Sequence, residues 1–392
     1  MTLRVLTLSS LFPDITRLTF GVFVEQQTVG LAAHPDVELK VVSPYAVPPT
    51  PLLKVHPVYG RIAKLPRREN WKGLDVHHLP FRTLPLVGGR FNPWSMWWAL
   101  VPLLDEIRQS FRFDIIDTEF FFPDGPAAAR LAERYDVPFS IKARGGDIHF
   151  WANSPACQRM IVNAGNAADG MLAVSGALRQ DMIDLGMPGD RIKVHHTGVD
   201  QSRFKPVDRA AAKAALGIEG PLILSVGYLI ERKGQTLVID ALRELPGATL
   251  LLAGQGPDKA RLQAQIDAAG LQDRCRLIGP QLHDALPALF GAADVMALPS
   301  ASEGLANVWV EALACGTPIV ISDIGGAREV VDRPAAGKIV DRDPKAIAAA
   351  IREILANPPV QAETAEAAKK FTWARNTETL YAHLKGLVEG YR

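Results

Sequence analysis

The stretch Leu222-Ile223-Leu224-Ser225-Val226-Gly227 carries the reading of the fold. A mostly apolar run of strand length that stops on glycine is a strand buried on both faces, the kind a parallel sheet uses. Behind it lie a charged loop, a helical pattern over 235–245 and a second apolar run over 248–253, which together make one βαβ unit. The alternation continues toward the C-terminus. Helices are expected over 257–269, 284–292, 308–314 and 344–355, and strands over 276–278, 295–298, 319–322 and 338–340. Strand and helix in turn at this spacing predict a doubly wound parallel sheet.

Toward the N-terminus the same grammar recurs with larger insertions. Strands over 4–8, 38–42, 115–117 and 139–143, with helices near 23–33 and 126–135, predict a second α/β layer, which a strand over 192–194 closes. Thr197-Gly198-Val199-Asp200 then leads through Phe204-Lys205-Pro206 as a turn-rich connector. The expected domains are 1–203 and 204–372, and the helical run 373–392 is expected to pack back on the first.

A length of 392 residues suits two domains better than one. With 48% hydrophobic and 22% charged residues the chain is globular rather than disordered. Its 43 Lys and Arg against 42 Asp and Glu leave a net charge of +1, too little to hold nucleic acid by counterion release. Cys157, Cys275 and Cys315 lie far apart with no Cys-x-x-Cys pair, so neither a disulfide framework nor a zinc site is expected, and a reducing compartment fits. His195 and His196 are no metal pair either, because neighbours on a strand point to opposite faces. Residues 1–8 read as a first core strand and not as a secretory leader. The uncharged stretch 91–104 holds Pro93 and Pro102 and is shorter than the roughly 20 residues of a membrane span.

Chemistry concentrates at strand ends in the later sheet. The segment Ser300-Ala301-Ser302-Glu303-Gly304-Leu305-Ala306-Asn307-Val308-Trp309-Val310-Glu311 sets two carboxylates eight residues apart across a strand-to-helix turn. Gly304 keeps Glu303 on the loop, and Asn307 is expected to cap the helix, whose free N–H groups and dipole then face an anion. Taken alone, the two acids read equally well as residues favoured by the helix dipole. The loop Gly227-Tyr228-Leu229-Ile230-Glu231-Arg232-Lys233-Gly234 shifts the balance, since two cations before a helix start are unfavourable unless they serve an anion. Gly254-Gln255-Gly256-Pro257 adds glycines where backbone can approach a ligand closely. Three such features at the carboxyl ends of strands describe a ligand crevice.

With these residues in place, the chain resembles the family-4 retaining glycosyltransferases of GT-B fold, an α/β architecture of two Rossmann-like doubly wound domains facing across a cleft. The resemblance runs from Arg4 to about Leu387. It is carried by Glu303 and Glu311 with Ala312-Leu313-Ala314-Cys315-Gly316-Thr317-Pro318 behind them, by Lys233-Gly234, by Gly254-Gln255-Gly256-Pro257 and by Thr197-Gly198-Val199-Asp200. In the amino half, Phe12-Pro13, Gly21-Val22-Phe23-Val24-Glu25-Gln26-Gln27 and Arg144-Gly145-Gly146-Asp147 resemble the branch that builds bacterial surface polysaccharides.

The resemblance implies transfer of a hexose from a nucleotide-diphosphate sugar, UDP favoured over GDP or ADP, to a hydroxyl of a saccharide or lipid-linked acceptor. No metal and no cofactor is implied. Catalytic roles fall to Glu303, Lys233 and Arg144. Donor contacts fall to Gly21, Arg232, Lys233, Gly254, Leu282, Glu303, Gly304, Leu305, Ala306 and Glu311, with Glu311 on the ribose and Glu303 on the sugar. Acceptor contacts fall to Asp124, Asp147 and His149. Tyr228 stands where many relatives place an arginine, and Arg144 where many place a histidine. Retention is implied to proceed by same-face attack, with the leaving phosphate helping to take the acceptor proton.

Three further features bear on partners. Asp117, Glu119 and Asp124 cluster after a strand and suit an acceptor, although Asp124-Gly125-Pro126 is also a good cap and turn. Lys54, Arg61, Lys64, Arg67, Arg68 and Lys72 stand against Glu69 alone in a proline-rich insertion, near Asn92-Pro93-Trp94-Ser95-Met96-Trp97-Trp98, a helix start expected to bury its aromatics. Basic charge beside aromatic residues can dock on anionic lipid, so the expected location is the cytoplasm, at the inner face of the cell membrane if that segment docks. Two other functions share the pattern: a GT-B nucleotide-sugar epimerase, which needs no acceptor, and a non-catalytic nucleotide-sugar-binding protein.

Overall fold

The computed structural model describes residues 2–17, 20–48, 65–84 and 89–391. It forms two compact units, Met1–Gly198 with Trp373–Arg392, and Val199–Thr372.

The first unit is built on strands β1 (Leu3–Leu8), β2 (Val37–Val47), β3 (Arg68–Trp71), β4 (Leu74–Arg82), β5 (Ile115–Thr118), β6 (Phe139–Ala143), β7 (Gly170–Ala173) and β8 (Ile192–Val194). They form one sheet in the order β3-β4-β2-β1-β5-β6-β7-β8, parallel except where β3 runs back along β4. The sequence pattern does not announce that hairpin. Its turn rests on Lys72 and Gly73, both at positive φ (51° and 88°), the twist a two-residue hairpin loop requires. Helices on the faces explain why the parallel strands are apolar almost throughout: β1, β5 and β6 are buried along nearly their whole length.

Helix Trp373–Tyr391 returns to this unit. Leu380, Leu384 and Val388, one helical turn apart, pack with Leu3, Val5, Leu31, Ile115 and Leu172. Helix Asn92–Ser110 buries Met96, Leu100, Leu104 and Ile107, but Trp94 and Trp98 lie on its solvent side, against the expectation that its aromatics are core. The 3.6-residue period decides this, since 96, 100, 104 and 107 form the inward stripe and 94 and 98 fall off it.

The second unit holds β9 (Leu222–Val226), β10 (Thr249–Ala253), β11 (Cys275–Gly279), β12 (Val295–Leu298), β13 (Ile319–Ser322) and β14 (Gly337–Val340), in the order β11-β10-β9-β12-β13-β14. All are parallel. Renumbered within the unit this is 3-2-1-4-5-6, the order of a dinucleotide-binding sheet. Ile223, Leu250, Leu252, Val295 and Val320 from the strands pack with Val238, Ile239, Leu242, Ile347 and Ile351 from helices Gln235–Leu242 and Pro344–Ala356.

The division between the units falls at Gly198/Val199, ahead of the expected Phe204. The Val199 N–H donates to the Phe371 carbonyl at 3.0 Å, and Phe204 is buried beside His283 and Phe290, at 5.2 and 6.3 Å between ring centroids. The connector is therefore tied into the second unit. All three cysteines are buried, and no disulfide links them. Among the described residues no helix is long and apolar enough to cross a membrane.

Candidate functional site

In the second sheet β9 and β12 are neighbours whose connections leave in opposite directions, one toward β10 and the other toward β13. A doubly wound sheet opens a crevice at that switch point, outside the carboxyl ends of the two strands. Lys233 follows β9 and Glu303 follows β12. Lys233 ends a single 3₁₀ turn, Glu231–Lys233, closed by Gly234 at φ 74°. A Cβ on Gly234 would lie 2.4 Å from the Pro299 carbonyl oxygen, so only glycine lets the two loops pack this closely.

The loops bring the charges together. Lys233 Nζ lies 2.5 Å from Glu303 Oε1, with the two side chains 13% and 11% exposed. Arg232 lies 3.7 Å from the other Glu303 oxygen and donates to the Ser302 carbonyl. Glu303 is thus bracketed by two cations. A third loop seats against these: a Cβ on Gly254 would fall 1.9 Å from the Gly227 carbonyl oxygen, and one on Gly256 2.2 Å from that of Leu229. Behind Glu303, the Gly326 N–H donates to the Gly304 carbonyl at 2.8 Å. Leu305 and Ala306 are buried, and Tyr228 and Leu282 are exposed.

Glu311 sits in helix Asn307–Ala314 and is buried. One of its oxygens is hydrogen-bonded to His283 Nε2 at 2.9 Å, and the other is buried without a partner. The expected cap differs from the observed one. Asn307 is the first helical residue, and Ala306, with extended backbone and no side-chain acceptor, holds the cap position. The cap residue therefore offers the first N–H groups of this helix no side-chain acceptor.

In the first unit, Gly21 (φ 65°) precedes helix Val22–Ala32, and a Cβ there would overlap the Leu11 carbonyl oxygen at 1.5 Å. Arg144, just beyond β6, is half-buried, and its guanidinium is ion-paired with Glu119 from beyond β5. Its Nε donates to the Glu119 carbonyl at 3.0 Å, and its guanidinium lies 4.8 Å from the Phe23 ring centroid. Asp147, expected at an acceptor, instead holds the loop that carries Arg144: its carboxylate accepts from the N–H groups of Phe121, Arg144, Gly145 and Ile148 at 2.8–3.1 Å. Those bonds take up its acceptor capacity. Asp124 does not cap its own helix, Asp124–Tyr135, where Pro123 has the cap position. It accepts from the Ser10 N–H at 2.7 Å, its other oxygen is buried without a partner, and burial pushes its carboxyl up to about 7. His149, half-buried, is hydrogen-bonded to Asp181 at 2.9 Å.

Sequence reasoning missed the residues that fix Arg144. Gln27 donates to Glu119 and accepts from the fully buried Lys142 at 2.5 Å. Lys142 also donates to His195 Nδ1 at 2.6 Å, and His195 Nε2 donates to the Asn376 carbonyl at 2.9 Å. Burial holds both Lys142 and His195 well below their ordinary pKa, and the same burial, with Glu119 nearby, raises Asp117 well above its own. The available signal was a lysine inside an otherwise buried strand, Phe139-Ser140-Ile141-Lys142-Ala143. Of the basic insertion, Lys54, Arg61 and Lys64 lie outside the described residues. Arg68 is paired with Asp75 at 2.6 Å and Lys72 with Glu25 at 2.9 Å.

Known proteins match this arrangement along most of the chain. Residues 33–203 match the family described as Glycosyltransferase Family 4, and residues 208–371 that described as Glycosyl transferases group 1. A D-inositol 3-phosphate glycosyltransferase of Mycolicibacterium vanbaalenii is 33% identical over 354 residues, which is 82% of this chain and 75% of that protein. One of the same name from Mycolicibacterium smegmatis is 33% identical over 60% of this chain, and the matched stretch spans only about half, 54%, of its length. Among solved structures, sucrose-phosphate synthase from Thermosynechococcus elongatus is similar with a TM-score of 0.81 at 20% identity, over 99% of this chain and 100% of that one. Anabaena Alr3699/HepE in complex with UDP-glucose is similar with a TM-score of 0.73 at 22% identity, over 98% and 99%. With matched families on both units, a relative 33% identical over 82% of the chain and structural likeness over 99% of it, the chain belongs to the family-4 glycosyltransferases of GT-B fold.

Proposed function

We propose that the chain is a retaining hexosyltransferase that moves a hexose from a nucleotide-diphosphate sugar to a hydroxyl of a saccharide or lipid-linked acceptor, in bacterial polysaccharide or envelope glycan assembly. The observation that carries this reading is the Lys233–Glu303 pair, 2.5 Å apart at the switch point of the second sheet. As the bond between the anomeric carbon and the diphosphate oxygen breaks, negative charge gathers on the leaving group. Lys233 supplies a fixed cation there, Arg232 a second, and the uncapped N-terminus of helix Asn307–Ala314 adds oriented N–H groups. Charge already in place costs no reorganisation during the reaction, and the reading needs neither metal nor cofactor.

Glu303 has two tasks: one oxygen holds Lys233 in register and the other takes a sugar hydroxyl. Glu311, with one oxygen held by His283, presents the other to the ribose hydroxyls, which would satisfy a buried acceptor. Gly21, Gly254, Leu282 and the backbone of Gly304, Leu305 and Ala306 complete the donor contacts. The acceptor oxygen bonds to the face that the diphosphate leaves, and its proton passes to a leaving phosphate oxygen. In the first unit Arg144 acts at the reacting sugar, while Asp124 and His149 bind the acceptor. The UDP-glucose complex of the Anabaena protein supports UDP as the first nucleotide to try, and the name of the mycobacterial relatives supports a polyol hydroxyl as acceptor.

The test is a panel of UDP-, GDP- and ADP-hexoses in thermal unfolding, followed by NMR of the product's anomeric configuration. A ligand that binds only the native state raises the melting temperature. A rise with one nucleotide family and a product of unchanged anomeric configuration are expected. Equal melting with every nucleotide-sugar, or an inverted product, would overturn the reading. Conversion of the donor without any acceptor would mark an epimerase instead.

A further inference from the structure

Among the described residues eleven large apolar side chains are exposed, and five of them, Leu84, Phe91, Trp94, Trp98 and Phe150, gather in one region of the first unit. Named contacts tie them together. Thr83 Oγ1 donates to Asn92 Oδ1 at 2.9 Å, which brings Leu84 to the start of helix Asn92–Ser110. The Asn92 N–H donates to the Gly89 carbonyl at 2.8 Å. Trp151 packs on Gly89, where a Cβ would meet its ring at 2.7 Å, and lies edge-on to Phe150 with centroids 5.3 Å apart. Trp94 and Trp98, one turn apart, meet edge-on with centroids 5.9 Å apart. Trp94, Trp98 and Phe150 are 54%, 56% and 67% exposed, too much for core residues and too many together for chance exposure.

The chain that leads into this helix carries charge of one sign. Between Asp75 and Asp105 the sequence contains no acid, and its only full charges there are Arg82 and Arg90, both exposed. The Arg90 guanidinium lies 5.3 Å from the Phe91 ring centroid, and Arg130 approaches the Trp97 ring at 5.9 Å. The first acid of the helix, Asp105, stands seven residues past Trp98, about 10 Å along the axis, and is paired with Arg134 at 3.0 Å. Asp181, which faces His149, is paired with it. A sugar platform would ring its aromatics with hydrogen-bonding side chains. On the solvent side of the helix from Phe91 to Val101, Asn92 is engaged with Thr83, and Ser95 is the one other polar side chain.

We propose that this face is a docking surface for an anionic lipid bilayer. Trp94, Trp98, Phe91, Leu84 and Phe150 enter the headgroup–acyl boundary, where amphipathic rings are favoured, and Arg82 and Arg90 meet the lipid phosphates. The proposal uses none of the basic insertion, whose described residues Arg68 and Lys72 are already paired. The proposal does not rest on the transfer reading, because its test reads binding alone.

The experiment is co-sedimentation of the full chain with phosphatidylcholine vesicles, with and without phosphatidylglycerol, at low and high salt. Binding that requires phosphatidylglycerol and weakens with salt is expected. The double variant Trp94→Ser/Trp98→Ser should bind at least tenfold more weakly with unchanged thermal unfolding. Arg82→Gln/Arg90→Gln should lose roughly fivefold per arginine at low salt and no further at high salt. Wild-type protein that stays in the supernatant, or tryptophan variants that sediment like wild type, would overturn the proposal. So would a soluble oligosaccharide that quenches Trp94 in a chain that ignores vesicles, or a self-association lost in the tryptophan variants, each of which would name a different occupant.

Discussion

Among single residues, Lys233 and Glu303 carry most of the proposed chemistry. Lys233→Ala removes the cation nearest the proposed leaving group, and Glu303→Ala frees that cation from its register. Each is expected to lower turnover at least about a hundredfold, with circular dichroism and thermal unfolding close to wild type because both side chains stand on loops. These two residues were legible in the sequence, since a glutamate ahead of a glycine and a lysine ahead of another sit at strand ends that the apolar runs mark clearly. The residues that fix Arg144 were not. Gln27, Glu119, Lys142 and His195 come from four separate segments and meet only through long-range packing. Lys142→Met leaves the buried acceptors on Gln27 and His195 without their shared donor, while Glu119 keeps its pair with Arg144. It should cost about 1–3 kcal/mol in urea unfolding for each acceptor left unsatisfied. An unchanged midpoint would mean that the network is not closed as described.

At the scale of elements, the C-terminal helix is the test case. Its apolar stripe made the helix readable, and the burial of Leu380, Leu384 and Val388 against β1 and β5 shows why it returns to the first sheet. Leu384→Ala should cost about 2–5 kcal/mol. His383 on the same helix is hydrogen-bonded to Ser140 at 2.9 Å, and burial, helped by Lys193 and Lys142, lowers its pKa from 6.5 to about 4. Its contribution to stability is therefore complete above pH 6.5 and is lost as pH falls toward 4. Asp124 has the opposite sign: raised from 3.8 to about 7, it contributes fully below pH 3.8 and loses that contribution as pH rises through 7. Denaturant titrations across that range should show His383→Gln losing up to about 3 kcal/mol less than wild type between pH 6.5 and 4. Parallel curves would refute the assignment. The β3–β4 hairpin escaped sequence reading for a related reason. Arg68-Glu69-Asn70-Trp71 is only half-buried, so it lacks the apolar signal that marked the interior strands.

At the scale of the whole molecule, the two parallel sheets were readable because strands covered by helices on both faces must be apolar along their length. Loop ends were less so: the cap at Ala306 and the backbone role of Asp147 depend on where the chain turns, and side-chain identity alone favoured Asn307 and an acceptor contact. The second unit holds the charged side chains proposed to bind a donor, Lys233, Arg232, Glu303 and Glu311. Isothermal titration of UDP into wild type, Lys233→Ala and Glu311→Ala therefore reads whether these side chains hold the nucleotide. Measurable binding to wild type, weakened about ten- to hundredfold in each variant by the loss of a charge-assisted contact, is the predicted result. Equal affinity in all three proteins would place the nucleotide away from Lys233 and Glu311.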